Sequence, residues 1–213
     1  MTTTTKSAKP RSSRAWGVRD ITNWKFDIQS LPKVWGDHLG DVPARFTMYV
    51  DGDGGHGKTE YIIQLSKMLA MHMGKVKLNN VEQGKHSQIK KSFQRNNLEE
   101  IKLGKWMYES VHSFDAYVKK LKRPNSGRIQ IIDSISYWPL TTAQVQELIE
   151  SFPNKSFVFV AYKAHFNQNR PIAHLCDIKV RVENFQATPS SRFGGNKNYV
   201  IWNRVSEQPG LFN

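Results

Sequence analysis

The chain has 213 residues, 38% of them hydrophobic, which is enough for one domain with a buried core and gives little support for two. Lys and Arg number 31 against 18 Asp and Glu, a net charge of +13 that points to a polyanionic partner, nucleic acid ahead of a membrane surface. One cysteine, Cys176, excludes an intrachain disulfide and fits a reducing cytosol; no Cys/His spacing resembles a zinc site, and no apolar run is long enough to span a bilayer.

In chain order, residues 1–15 read as a disordered basic tail, rich in Thr, Ser and Lys and without the apolar stretch of a secretory signal. Residues 16–213 read as a single domain. Ile28, Leu31, Val34 and Trp35 fit a short helix or loop packed on the core. Arg45 to Asp51 is apolar and β-prone and runs into a glycine cluster, as a buried strand ending in a loop does. From Lys58 the apolar residues Ile62, Leu65, Met68 and Leu69 follow helical spacing, with Gly74 as a stop.

Lys75 to Val81 fits a second strand, Ser87 to Asn96 a polar helix, and Trp106 to Ser110 a short strand. Ser113 is placed to cap a helix running to about Leu121. Arg128 to Asp133 is a further core strand. Thr141-x-x-Gln144 forms a capping box ahead of Val145, Leu148 and Ile149, and Pro153 closes that helix. Ser156 to Ala161, Ile178 to Val182 and Tyr199 to Trp202 read as later strands. Phe157, Phe159 and Trp202 lie in these runs and read as core. Strands alternating with helices predict an α/β fold, with a mostly parallel central sheet between two helical layers.

Gly52-Asp53-Gly54-Gly55-His56-Gly57-Lys58-Thr59 matches G-x-x-x-x-G-K-[ST] in full. Glycines let the backbone wrap a phosphate with several N–H groups pointing inward, and the helix that follows aims its positive end at the same place. The expected cofactors are ATP and Mg²⁺. Gly52, Gly54, Gly55, His56, Gly57, Lys58, Thr59 and Glu60 would line the nucleotide, with Lys58 on the β- and γ-phosphates and Thr59 on the metal. Asp51 and Asp53 put negative charge beside a phosphate site, so they must point away from it or serve the metal.

Such a loop needs a carboxylate at the end of a nearby strand, and Asp133, directly after Ile129 to Ile132, fits. Hydrolysis also needs a base or water-orienting group. Glu82, just past the second strand, is the first choice and Glu109 the alternative.

VEQG at 81–84, IIDSIS at 131–136, VAYKAHF at 160–166, IAHLCDI at 172–178 and SRFGG at 191–195 follow one another in order. With the phosphate-binding loop, this series resembles the RecA/RadA/DnaB group of ATPases, and RadA most closely. The resemblance covers residues 40 to 205 and implies a RecA-like P-loop fold. It lands the group's catalytic glutamate on Glu82 and its Asp-Ser strand end on Asp133 and Ser134. It also implies a DNA-facing loop at about Lys163 to Ala173, and a role for Arg192 as a finger reaching a neighbour's nucleotide, with Lys163 and Arg170 as other candidates. Ser190 and Ser191 stand where the group carries Lys-Asn, and the zinc-binding front end and protease-like tail of RadA have no counterpart in this sequence.

Lys163, His165, Phe166 and Arg170 combine cations with one aromatic ring, the composition that tracks phosphates and stacks on a base. Lys119, Lys120, Lys122 and Arg123 form a second basic cluster, which suits a helix C-terminus and is a lesser candidate for DNA contact. The expectation is a DNA-dependent ATPase of replication or recombination, cytoplasmic in a bacterial or phage-infected cell. It would work as a ring or filament on single-stranded DNA. The alternatives are a nucleotide-gated adaptor with slow turnover, and a helicase fragment of a viral replication initiator with Asn167 as its strand-end asparagine.

Overall fold

The computed structural model describes residues 15–202; the expected basic tail, up to residue 14, and residues 203–213 lie outside the described residues. The strands are β1 (Thr47–Gly52), β2 (Val76–Asn80), β3 (Trp106–Glu109), β4 (Ile129–Asp133), β5 (Ser156–Tyr162), β6 (Ile178–Glu183), β7 (Gln186–Ser191) and β8 (Tyr199–Val200). They form one sheet in the order β3-β2-β4-β5-β1-β6-β7-β8. Pairing is parallel from β3 to β6 and antiparallel from β6 to β8. The helices are α1 (Val18–Thr22), α2 (Lys33–Leu39), α3 (Lys58–His72), α4 (Ser87–Arg95), α5 (Phe114–Leu121), α6 (Thr142–Ser151) and α7 (Phe166–His174).

The central strands are apolar on both faces because each face meets a helical layer. In β1, Met48 and Val50 join the core under α3, while Tyr49 joins the opposite one. In β5, Val158 and Val160 take the first side, and Phe157, Phe159 and Ala161 the second. Tyr61, Ile62, Leu65 and Leu69 of α3 and Trp35 and Leu39 of α2 fill the first core. Tyr117 and Leu121 of α5, Val145 and Leu148 of α6 and Ile172 of α7 fill the second. The result is the three-layer α/β/α architecture that the alternation predicts.

Local signals set the helix ends. Ser113 Oγ accepts from the Ala116 N–H at 3.4 Å at the start of α5. In α6 the capping box is complete: Thr141 Oγ1 accepts from the Gln144 N–H at 3.2 Å, and Gln144 Oε1 accepts from the Thr141 N–H at 3.0 Å. α3 ends just before Gly74, whose φ of +136° suits a residue without Cβ.

Three expectations are corrected. Lys163 to Ala173, read as a flexible loop, is a short 3₁₀ turn (Lys163–His165) followed by α7. Phe166, Asn169, Ile172 and Ala173 recur at helical spacing and pack inward. That burial outweighs Pro171, whose missing N–H costs the helix one internal bond. β7 has no counterpart among the expected strands, because Thr188-Pro189-Ser190 is poor strand material. Among the described residues β8 pairs only with Gln186 and Ala187, so Pro189 faces no described strand on that side of β7 and no ladder donor is required there. The last strand covers Tyr199 and Val200 and stops short of Trp202.

Candidate functional site

The parallel strands all end on one edge of the sheet, and the loop Gly52–Thr59 leaves β1 there between β5 and β6 and enters α3. Ligands of open parallel sheets gather at this edge. At Gly52 an added Cβ would stand 2.3 Å from the Val182 carbonyl oxygen, so no larger residue fits. Gly57 has φ +95°, and the Phe185 ring lies 3.0 Å from where its Cβ would be. His56 ties the loop to the β6–β7 hairpin: its carbonyl accepts from the Phe185 N–H at 3.1 Å and its Nδ1 from the Asn184 N–H at 3.0 Å.

Lys58 is buried. Its ammonium donates to the carbonyls of Gly52 at 2.7 Å and Asp53 at 3.0 Å, and lies 4.3 Å from the centre of the Tyr162 ring. Burial lowers its pKa, while the negative charges of Asp133, Glu82, Asp53 and Asp51 work in the opposite direction. Asp51 points away from the loop and pairs with Arg181.

Asp133, at the end of β4, is 5% exposed. Burial and the charge of Glu82 push its pKa up to about 7, with Lys58 opposing. Asn80 Nδ2 donates to Asp133 at 3.2 Å, and Asn80 Oδ1 accepts the Gln83 N–H at 2.8 Å, so one buried amide positions both acids' segments. Glu82 accepts the Tyr162 hydroxyl at 2.5 Å. Tyr162 is itself held by its N–H, which donates to Ser136 Oγ at 2.9 Å. The peptide bond Asp133-Ser134 is cis.

A cavity of about 290 Å³ joins these groups, lined among others by Gly57, Lys58, Thr59, Glu82, Asp133 and Tyr162. Two buried polar atoms beside it, Ser134 Oγ and Gln83 Oε1, have no hydrogen-bond partner among the described residues. Inward glycine backbone, one ammonium, a hydroxyl and two carboxylates short of positive charge fit a magnesium-bound polyphosphate. Among the described residues no group of three or more His, Cys, Asp or Glu could hold a metal alone, so a cation there would share its ligands with phosphate oxygens and water.

The other predicted residues are scattered more widely. Glu60 borders the cavity, but its carboxylate is taken by α4: Ser92 Oγ and Arg95 Nη2 each donate at 2.7 Å, and Asn96 Nδ2 at 2.5 Å. Glu109 does not border it and pairs with Lys120 at 3.0 Å on the outer strand β3. Gly54 and Gly55 are exposed on the loop. Arg192 is exposed at the far end of the sheet from its own phosphate loop, 3.5 Å from Asp177, which also accepts from the Thr47 N–H at the start of β1. Lys163 pairs with Glu183. His165 and Arg170 are exposed. The Phe166 ring is half-buried, with the Arg181 guanidinium 5.5 Å from its centre, so it is not the free stacking platform expected.

Sequence reasoning missed Tyr162, Asn80, Phe185 and Arg95 and placed Trp202 in the core. Trp202 instead helps wall the cavity, with the Arg95 guanidinium 4.8 Å from its ring centre and the Phe185 ring edge-on at 6.1 Å.

No family model matches the chain, and no curated protein matches it either. Solved structures do resemble it. The flagellar accessory protein FlaH from Methanocaldococcus jannaschii is similar with a TM-score of 0.62 at 12% identity, over 82% of this chain and 93% of that one. The KaiC-like protein PH0186 from Pyrococcus horikoshii is similar with a TM-score of 0.59 at 13% identity, again over 82% and 93%. At such identities the likeness concerns the fold, which is the RecA-like P-loop fold.

Proposed function

We propose that the chain binds and hydrolyses ATP with Mg²⁺, and that it acts on single-stranded DNA as a ring or filament. The observation that carries the ATPase reading is the pair Asp133 and Glu82 facing Lys58 across the phosphate-loop cavity, both anchored by neighbours. Lys58 would leave its two carbonyl partners for the β- and γ-phosphates. Thr59 and Asp133 would hold the cation, directly and through water, and Glu82 would orient the attacking water. The cation supplies charge neutralisation on the phosphates. Residues 16–213 would form one ATPase unit.

Arg192 is the proposed finger onto a neighbour's nucleotide. Its exposure and its distance along the sheet from its own phosphate loop support a role in trans. The exposed His165 and Arg170 on and beside α7, with Lys163 and Phe166, would face DNA. The order of VEQG, Asp-Ser and RFGG supports a RadA-like place within the fold. The viral-initiator reading loses support, because Asn167 lies on the exposed side of α7 and does not end a central strand.

The test measures ATP turnover with and without single-stranded DNA, and inspects assembly by electron microscopy with a non-hydrolysable analogue. Stimulation of about tenfold, over 1 kcal/mol of barrier, with rings or filaments on DNA is expected. A flat, slow rate with ATP-dependent assembly would mean the nucleotide-gated adaptor. No affinity for Mg·ATP, with Lys58→Ala behaving like the parent, would overturn the reading.

A further inference from the structure

The opposite edge of the sheet carries a feature that ATP chemistry does not use. In five adjacent strands the residue at the same register, just before or at the amino-terminal end, is a cation. Val76 stands opposite Trp106 and Ile129, and Ile129 opposite Ser156, so Lys105, Lys75, Arg128 and Lys155 lie side by side. Thr47 stands opposite Phe157, which brings Arg45 level with Lys155. At a strand spacing of about 4.8 Å, the row spans roughly 19 Å.

Lys75, Arg128 and Lys155 open into a cleft of about 640 Å³, joined by Lys122 and Arg123 from the end of α5; among the described residues no Asp or Glu lines it. Among the described residues Arg128 alone of these has a carboxylate nearby, the exposed Asp27 at 3.9 Å. Lys155 is pinned, donating to Ser126 Oγ at 2.6 Å and to the Gly127 carbonyl at 2.7 Å. Burial, and to a lesser extent the neighbouring charge of Lys77, lower its pKa.

Like charges in one row destabilise a sheet. The carboxyl ends of α5 and α6 flank the cleft and offset only about half a charge each. Phe152, Pro124 and Pro153 add apolar surface, and the Phe152 ring is half-buried. Cations in file match the phosphates of a polyanionic backbone.

We propose that this cleft, at the sheet edge remote from the phosphate loop, binds the backbone of a single-stranded nucleic acid. The site is distinct from α7 and needs no nucleotide.

The test is fluorescence anisotropy of the full chain with a labelled oligothymidylate across a salt series, without ATP. The triple variant Lys105→Glu, Lys122→Glu, Arg123→Glu changes exposed residues only and leaves the ATP cavity untouched. It is expected to bind at least tenfold more weakly, with a salt slope smaller by about 2, near 0.7 for each phosphate that the variant no longer neutralises. Its turnover of ATP without DNA should equal the parent's, which separates this result from a failure of the ATPase reading. Unchanged oligonucleotide affinity in the triple variant, with weaker binding on Arg170→Glu instead, would overturn the proposal and leave binding at α7 alone. Tighter capture of labelled polyglutamate than of the oligonucleotide would overturn it in favour of an acidic protein partner.

Discussion

Tyr162 gives its hydroxyl hydrogen to Glu82 at 2.5 Å while its ring covers the Lys58 ammonium at 4.3 Å. One side chain at the end of β5 thus touches both the cation of the phosphate loop and the proposed water-orienting acid. The bond holds Glu82 in place and draws its charge toward the phenol. Burial and that bond raise the tyrosine's pKa beyond its ordinary value, so it stays a donor at any working pH.

Tyr162→Phe keeps the ring over Lys58 and removes the hydrogen bond. The expected outcome is a kcat lowered about tenfold, near 1.4 kcal/mol of barrier, with the affinity for ATP within about twofold of the parent. Steady-state kinetics beside equilibrium binding measures both. A Kd that rises in step with the fall in kcat would assign Tyr162 to holding Lys58 instead.

Asp133 exchanges stability for a place beside the nucleotide. Its folded-state pKa is raised from 3.8 to about 7, so the folded chain holds the proton more tightly than the unfolded one. Its contribution is therefore full below pH 3.8 and is lost as pH rises toward 7. Asp133→Asn should stabilise the ligand-free protein at pH 8 by on the order of 3 kcal/mol, while lowering turnover by about two orders of magnitude. Urea unfolding at pH 5 and pH 8 tests the first part: the gain from the substitution must shrink at the lower pH.

His38 titrates in the other sense. Its Nδ1 lies 2.8 Å from the Lys197 carbonyl, which can only accept, so Nδ1 carries the hydrogen and Nε2 accepts from the Tyr61 hydroxyl at 2.9 Å. Burial lowers its pKa, against the pull of the Lys197 carbonyl. The unfolded chain then binds the proton more readily, and stability falls as pH drops below 6.5. His38→Gln should make the melting temperature less sensitive to pH between about 6.5 and 5 than in the parent.

Glu60 docks α4 against α3 through Ser92, Arg95 and Asn96. Burial raises its pKa, and the bonds from these partners more than reverse that, leaving it lowered. Glu60→Ala should cost about 2 kcal/mol. That is below the figure for a fully buried pair, because the Arg95 side chain is 45% exposed. Chemical unfolding reports the loss. A change under about 0.5 kcal/mol would show that α4 is held by its apolar contacts alone.

The parts of the fold legible in the sequence are those encoded by near neighbours. The Gly52–Thr59 loop, the Thr141–Gln144 cap, the Ser113 cap and the apolar run ending in Asp133 each carry their signal within a few residues. β7 and α7 are obscured by Pro189 and Pro171, which local propensity counts against regular structure. The side of β7 that faces no described strand tolerates the first and core burial of Ile172 the second. Asn80, Tyr162 and Trp202 stand at the site through strand order. β2, β5 and the segment after β8 are far apart in sequence, and no local pattern says which strand ends meet. Phe166 sits in a polar stretch and reads as free; its neighbour Arg181 arrives from β6.

The turn Asn184-Phe185 rests on the glycine beside Lys58 and is stitched to His56 by two N–H donors. The β6–β7 hairpin and the nucleotide loop are therefore expected to open together. Their amides should share a rate of hydrogen exchange, and that common rate should slow together when nucleotide fills the loop. The β6–β7 hairpin thus becomes a reporter of occupancy, readable without a probe on the loop itself.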